Sequence, residues 1–168
     1  MTLAKDIESW VVDWVSQYNK NLDAVPCPFA RQALLDNKIV IKELTSLAHM
    51  SMAEYISSEL ESYTSQWPAD KEVVALGCNP ELISSDDLEQ LVNECNQTFL
   101  KERGYIALED HPANLEIIAG ETMNQGSWAL VLVQLKSKLD KASSILEKQG
   151  YYKNWSQEDI DDVVSWRK

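Results

Sequence analysis

The sequence predicts an α+β fold, a mixed sheet of four or five strands packed with helices, and three observations predict it. Apolar residues recur at three- and four-residue steps in several long stretches, as one face of an α-helix requires. Short apolar runs with the length of strands fall between those stretches. Helices and strands alternate early in the chain, whereas strands follow one another directly from Tyr105 to Val133, which implies antiparallel pairing there. At 168 residues the chain suits a single domain, able to bury roughly 70% of the surface its unfolded form exposes. We divide it into N-terminal helices over 1–37, an α/β sandwich core over 38–150 and a helical tail over 151–168.

Leu3, Ile7, Trp10, Val11, Trp14, Val15 and Tyr18 form one apolar stripe, so the chain opens with a helix whose tryptophans pack. Asn19 to Pro26 reads as a loop. Pro28 then suits the first position of a short helix through Leu35, with Cys27 as its N-cap. Lys38 to Glu43 alternates like a strand, with Ile39 and Ile41 on one face. Met52, Ile56, Leu60, Tyr63 and Trp67 mark the next helix, stopped by Pro68. Val73 to Leu76 is a continuous apolar run suited to a strand covered on both faces.

Ser84 and Asp87 begin a helix through Leu88, Leu91, Val92, Cys95 and Phe99, closed by Gly104. Tyr105–Leu108 and Leu115–Ala119 read as strands, and a polar loop leads to the strongest strand, Trp128–Val133. Leu135, Leu139, Ala142, Ile145 and Leu146 give a further helix ending at Gly150. Ser156 and Asp159 start a last short one. The stretch Val73 to Leu146 reads as most of a ferredoxin-like unit, the earlier strand supplying its missing edge.

The formal charge of −12 repels phosphate backbones and anionic lipid, which argues against general nucleic-acid or membrane-surface binding. Met1 to Tyr18 carries Asp6, Glu8 and Asp13 without an uninterrupted apolar core, so it reads as neither a signal peptide nor a spanning helix. Three cysteines without paired spacing do not make a disulfide framework, and a reducing cytoplasm is the simplest compartment.

The candidate chemistry lies in Cys27-Pro28-Phe29-Ala30 and Glu109-Asp110-His111-Pro112. If a helix starts after Cys27, its free N–H groups point at the sulfur and favour thiolate, with Arg31 one turn on adding to the effect. Cys27 then serves as a nucleophile, a redox centre or a metal ligand; otherwise it is a small buried residue. His111, beside Asp110 and Glu109, suits a general base or metal ligand, or a turn histidine with a satisfied ring. Cys78 follows a strand in Gly77-Cys78-Asn79-Pro80 and is placed to approach Cys27 and His111, and Asn124 offers an amide to a ligand. No CxxC or HxxxH spacing assigns a metal, and no phosphate loop, GxSxG elbow or HExxH occurs.

Trp10-Val11, Asn21-Leu22, Cys27-Pro28-Phe29-Ala30 and Asp110-His111-Pro112 resemble the motifs of a family of small uncharacterised bacterial proteins, a domain of unknown function. That family carries Asn-Leu-Cys-Pro-Phe-Ala, Phe-His-Pro and an Asn-Arg-Ser-Pro loop. Here Asp23 to Pro26 are inserted before the cysteine, and Met123-Asn124-Gln125-Gly126 keeps the asparagine but lacks the arginine and proline. The resemblance implies that Cys27, His111 and Asn124 share a site, and it supplies no reaction or cofactor.

Two functions compete on these grounds. The first is a pocket for thiol-based chemistry, with Cys27 as nucleophile, His111 as base oriented by Asp110 or Glu109, and Arg31, Asn124 and Cys78 around the substrate. The second is an acidic interaction or regulatory module without catalysis, using the aromatic tail Tyr151, Tyr152, Trp155 and Trp166. The partner is a small molecule in the first and a protein in the second.

Overall fold

A computed structural model of the protein describes residues 2–167. Its centre is a four-stranded mixed sheet made of β1 (Ile39–Leu44), β2 (Val73–Cys78), β3 (Tyr105–Asp110) and β6 (Ala129–Leu135). The spatial order is β1-β2-β6-β3. β1 runs parallel to β2, while β6 is antiparallel to both β2 and β3. The remaining strands, β4 (Ile117–Ile118) and β5 (Glu121–Thr122), make a separate small hairpin. The strand expected over Leu115–Ala119 is therefore this hairpin arm, shorter than its apolar run and outside the main sheet.

The helices are α1 (Leu3–Trp10), α2 (Ala30–Leu35), α3 (Met52–Ser65), α4 (Ser85–Cys95), α5 (Lys136–Lys148) and α6 (Gln157–Val163). From β2 through α4, β3 and β6 to α5, the chain follows a ferredoxin-like path, with β6 inserted between the parallel strands β2 and β3. The edge position that a ferredoxin-like chain fills last is filled here by β1, as the sequence implies. α3 carries the chain from β1 over to β2, so β1 lies parallel to its neighbour where a purely antiparallel sheet would have it reversed.

Period-two alternation along β2 and β6 builds two cores. Val74, Leu76, Cys78, Val131 and Val133 face α3 and α4, meeting Ile56, Leu60, Leu88 and Val92. Ala75 and Leu130 face the other way and meet Leu3, Ile7 and Val11 of the first helix, with Ala30 and Leu34 of α2 beside them. Gly77 sits where α1 comes closest: a Cβ there would lie 2.6 Å from a methyl of Leu3 and 2.9 Å from one of Leu130. Gly77→Ala is expected to lower stability by about 1–3 kcal/mol through overpacking, measured as a fall in the urea midpoint at unchanged slope.

Side-chain caps fix several boundaries. Ser51 caps α3 in a reciprocal capping box with Glu54, Ser84 accepts from the Asp87 N–H at 3.1 Å, and Ser156 with Asp159 starts α6. Two helices continue as π turns, α1 through Val11–Val15 and α4 through Asn96–Leu100. The second π turn carries the buried side chain of Asn96 onto the outer edge of β3. Its Nδ2 donates to the Ala107 carbonyl and its Oδ1 accepts from the Ala107 N–H, both at 2.9 Å. Ala107 faces away from β6, so Asn96 acts as a one-residue strand that closes this edge of the sheet.

Beyond α5 the chain turns at Gly150 (φ 73°) and lies back over the body as a strap. The Tyr151 hydroxyl donates to the Pro26 carbonyl, Asn154 Nδ2 donates to the Leu22 carbonyl at 3.4 Å, and Lys153 pairs with Asp23 at 2.7 Å. Tyr152 packs edge to face on both Tyr151 and Trp155, which meet each other at a tilt, with ring centroids 5.1–5.9 Å apart. At the far end, Lys101 Nζ donates to the Trp166 carbonyl and lies 4.8 Å from its ring centroid. The aromatic tail is thus partly spent on covering the protein's own surface.

Candidate functional site

Cys27 lies in a turn closed by the Ala30 N–H donating to its carbonyl at 3.3 Å, and α2 starts only at Ala30 with Phe29 at the N-cap position. The expectation that Pro28 opens the helix with Cys27 as its cap is corrected: Pro28 and Phe29 are the turn's central residues. The expected electrostatics are half present. The Phe29 and Ala30 N–H groups point at the sulfur and pull its pKa down, but burial outweighs them and pushes the thiol up. Tyr151, hydrogen-bonded to the neighbouring Pro26, lies near enough for its own ionisation to feel the sulfur. Arg31 is exposed on α2.

His111 is buried at the end of β3, only 6% exposed, and its ring is committed. Nδ1 accepts from the Ala113 N–H at 3.1 Å, which places the proton on Nε2. Nε2 donates to the Ile83 carbonyl at 3.1 Å and toward the Pro80 carbonyl at 3.4 Å. A ring with its only lone pair taken by a backbone amide has nothing with which to accept a substrate proton. His111 ties the end of β3 to the β2–α4 connection.

Asn124 is committed in the same way. Its Nδ2 donates to Asp110 Oδ1 at 2.7 Å and to the Asn114 carbonyl at 3.0 Å, and its Oδ1 accepts from the Glu116 N–H at 2.8 Å. Asp110 Oδ2 accepts from the Gln125 N–H at 2.7 Å. Asp110, His111 and Asn124 do converge, but as the internal frame of the loop from β3 to β6.

Cys78 ends β2 on the α3–α4 face, buried, with its thiol pushed up to about 11 by that burial. Cys27 enters α2, whose Ala30 and Leu34 pack on the opposite sheet face. The sheet therefore separates Cys78 from Cys27, and among the described residues no hydrogen bond joins Cys27 to His111. No group of three or more His, Cys, Asp and Glu side chains suited to hold a metal ion occurs among the described residues. Iodoacetamide modification of Cys27 is expected to titrate at or above the ordinary thiol value of about 8.5, unmoved by His111→Gln. A depressed value in a variant with Cys78 and Cys95 replaced by Ala would contradict the burial argument.

What sequence reasoning missed is the company of Asp110. Burial and neighbouring carboxylates push three carboxyls up at this end of β3. Glu109 is raised by burial and then by Glu89 and Asp110; Asp110 is raised by burial against its hydrogen bonds. Glu116, at the surface but crowded by packed atoms, is raised further by Asp110, Glu109 and Asp159, and lowered by Arg167. The signal was in the sequence as Glu109-Asp110 and Glu116. Glu89 and Asp159 could be added only once α4 and α6 were placed.

These raised carboxyls bind protons more readily in the folded than in the unfolded chain. Their stabilising effect is full below the ordinary carboxylate range and is lost as pH rises through their elevated values. The urea midpoint is expected to fall as pH rises out of the ordinary carboxylate range, and Glu109→Gln with Glu116→Gln is expected to shrink that fall.

Comparison with protein families, with characterised proteins and with solved structures finds no match to this chain. Among the described residues, no helix is long and apolar enough to cross a membrane.

Proposed function

We propose that the protein is a non-catalytic interaction module that holds a basic segment of another protein against the carboxylates at the C-terminal end of β3. The observation that carries this reading is the crowding of like charge there. Burial first, and then Glu89 and Asp110, disfavour the ionised form of Glu109; burial first, and then Asp110, Glu109 and Asp159, disfavour that of Glu116. An arriving guanidinium or ammonium relieves that repulsion, and a chain of net charge −12 draws such a partner in from a distance. The commitment of His111 and Asn124 to backbone groups, and the upward shift of Cys27, remove the support that a thiol–imidazole reaction would need.

The test is titration of a fluorescein-labelled hexa-arginine peptide at about 0.15 M NaCl, where long-range attraction is screened. Wild type should bind it saturably, and the pair Glu109→Gln with Glu116→Gln should weaken binding by about tenfold. The control pair Glu8→Gln with Asp13→Asn removes the same charge from exposed positions on the first helix and should change little. Equal weakening by both pairs would reduce the effect to net charge and sink the proposed site.

A further inference from the structure

The two edges of the main sheet are finished differently. On β3 the Asn96 amide occupies the outward N–H and carbonyl of Ala107. β1 ends the strand order on the other side, and its six residues pair with β2 along their whole length. The Val73 N–H donates to the Lys38 carbonyl at 3.2 Å, so the register turns the backbone groups of Val40 and Lys42 toward β2. Those of Ile39, Ile41 and Glu43 point away from the sheet, and among the described residues no hydrogen bond meets them.

The usual protections of an open edge are missing or turned aside. β1 has no proline, and its register has no bulge. Its lysine is held down on the α3 face, Lys42 Nζ lying 2.6 Å from Glu59 and 6.0 Å from the ring centroid of Tyr63. On the other face Ile39 and Ile41 pack against the core of Leu3 and Ile7, so an added strand would lengthen an existing apolar layer. Glu43 stands at the end of that row. It is exposed and accepts the Leu3 N–H at 3.3 Å, and among the described residues no cation pairs with it.

We propose that the outer edge of β1 takes up an extended segment of a protein partner, which joins the four-stranded sheet as an antiparallel fifth strand. The segment sets an arginine or lysine against Glu43 and β-branched residues against Ile41 and Ile39. Backbone bonds to the three outward residues supply affinity, and the alternate side chains supply selectivity. Charge favours such a partner over a second copy of the chain. Two chains of net charge −12 repel each other, and the lysine that a second β1 would bring is committed to Glu59. β1 lies at the opposite end of the strand order from β3, so this site does not depend on the carboxylate surface proposed above.

The probe is a fluorescein-labelled Thr-Arg-Thr-Val-Thr-Val-Thr peptide titrated into the full chain at about 0.15 M NaCl, where long-range attraction is screened. It should bind saturably. The same peptide N-methylated at both valines, whose N–H groups would face Ile41 and Ile39, should bind at least about tenfold more weakly. Ile41→Pro removes no rung to β2, a change that an edge strand tolerates, and should abolish binding. Glu43→Lys should weaken the arginine peptide by about tenfold and prefer a peptide with glutamate in the arginine's place. Glu109→Gln with Glu116→Gln should leave the affinity unchanged. Equal binding of the methylated and unmethylated peptides would overturn the added strand; it is read in the wild type, so it decides the matter even if Ile41→Pro does not fold. Loss of binding in Glu109→Gln with Glu116→Gln would put the peptide at β3 and overturn the site. A wild-type dimer in sedimentation that Ile41→Pro returns to monomer would give the edge to a second copy and overturn the partner assigned here. Absence of saturable binding would overturn the proposal outright.

Discussion

Asn96→Ala is expected to be the most damaging single change in the protein, lowering stability by roughly 2–5 kcal/mol. The side chain is 1% exposed and satisfies both the N–H and the carbonyl of Ala107 at 2.9 Å. Alanine leaves those two backbone groups buried without partners, and each unsatisfied group costs about 1–3 kcal/mol. It also reopens an outer edge of the sheet, so the variant should associate at high concentration where wild type does not. Asn96→Asp separates the two bonds. It can still accept from the Ala107 N–H, but at neutral pH it sets a carboxylate against the Ala107 carbonyl. Its loss should be partly recovered on acidification, when the carboxyl can donate. Chemical denaturation of the three proteins at two pH values checks the whole series, and a small loss in Asn96→Ala would mean that water replaces the amide.

His111→Ala is expected to cost roughly 2–4 kcal/mol, because it removes the donor to the Ile83 carbonyl, the acceptor for the Ala113 N–H and the volume of a buried ring. The measurement that separates structure from catalysis is Cys27 alkylation in the same variant under conditions where it remains folded. A structural histidine leaves that rate alone, and a catalytic base does not. His111→Gln keeps one donor and one acceptor at similar reach and should recover part of the loss. Full stability in His111→Ala would show that the ring is dispensable as a brace and would return it to the list of candidate catalytic groups.

Much of the architecture was legible because it is written in local patterns. The continuous apolar run of β2 and the strength of β6 identified the central strands, and Ser84 with Asp87 and Ser156 with Asp159 identified two helix starts. The mixed sheet and the role of β1 as a borrowed edge followed from the order of elements. The π turns were not legible, since a helical stripe with one residue too many keeps nearly the same apolar spacing. Asn96 gave no signal either: on a helical wheel it is one more polar residue, and its value comes from a strand that follows it.

The candidate site divides along the same line. The N–H groups beside Cys27 were anticipated from a helix start that the structure replaces with a turn, and the burial that outweighs them depends on how the rest of the chain packs around the sulfur. Of the residues grouped with Cys27 in the sequence, Asn124 bonds Asp110 and the His111 carbonyl, yet the loop donors and acceptors that consume the hydrogen bonds of Asp110, His111 and Asn124 have no signature in the sequence.

Because β1 occupies the edge beside β2 before the chain reaches α5, nothing in the sheet waits for the residues that come after. In a ferredoxin-like chain the last helix must be followed by a strand, and that strand's sequence is held to the demands of a ladder. Here the C-terminal stretch is released from that duty. It can lengthen, shorten or exchange its sequence without breaking a single rung, so changes in how tightly the strap closes need not alter the scaffold beneath it. The topology thereby separates the part of the protein that must fold from the part that is free to be tuned.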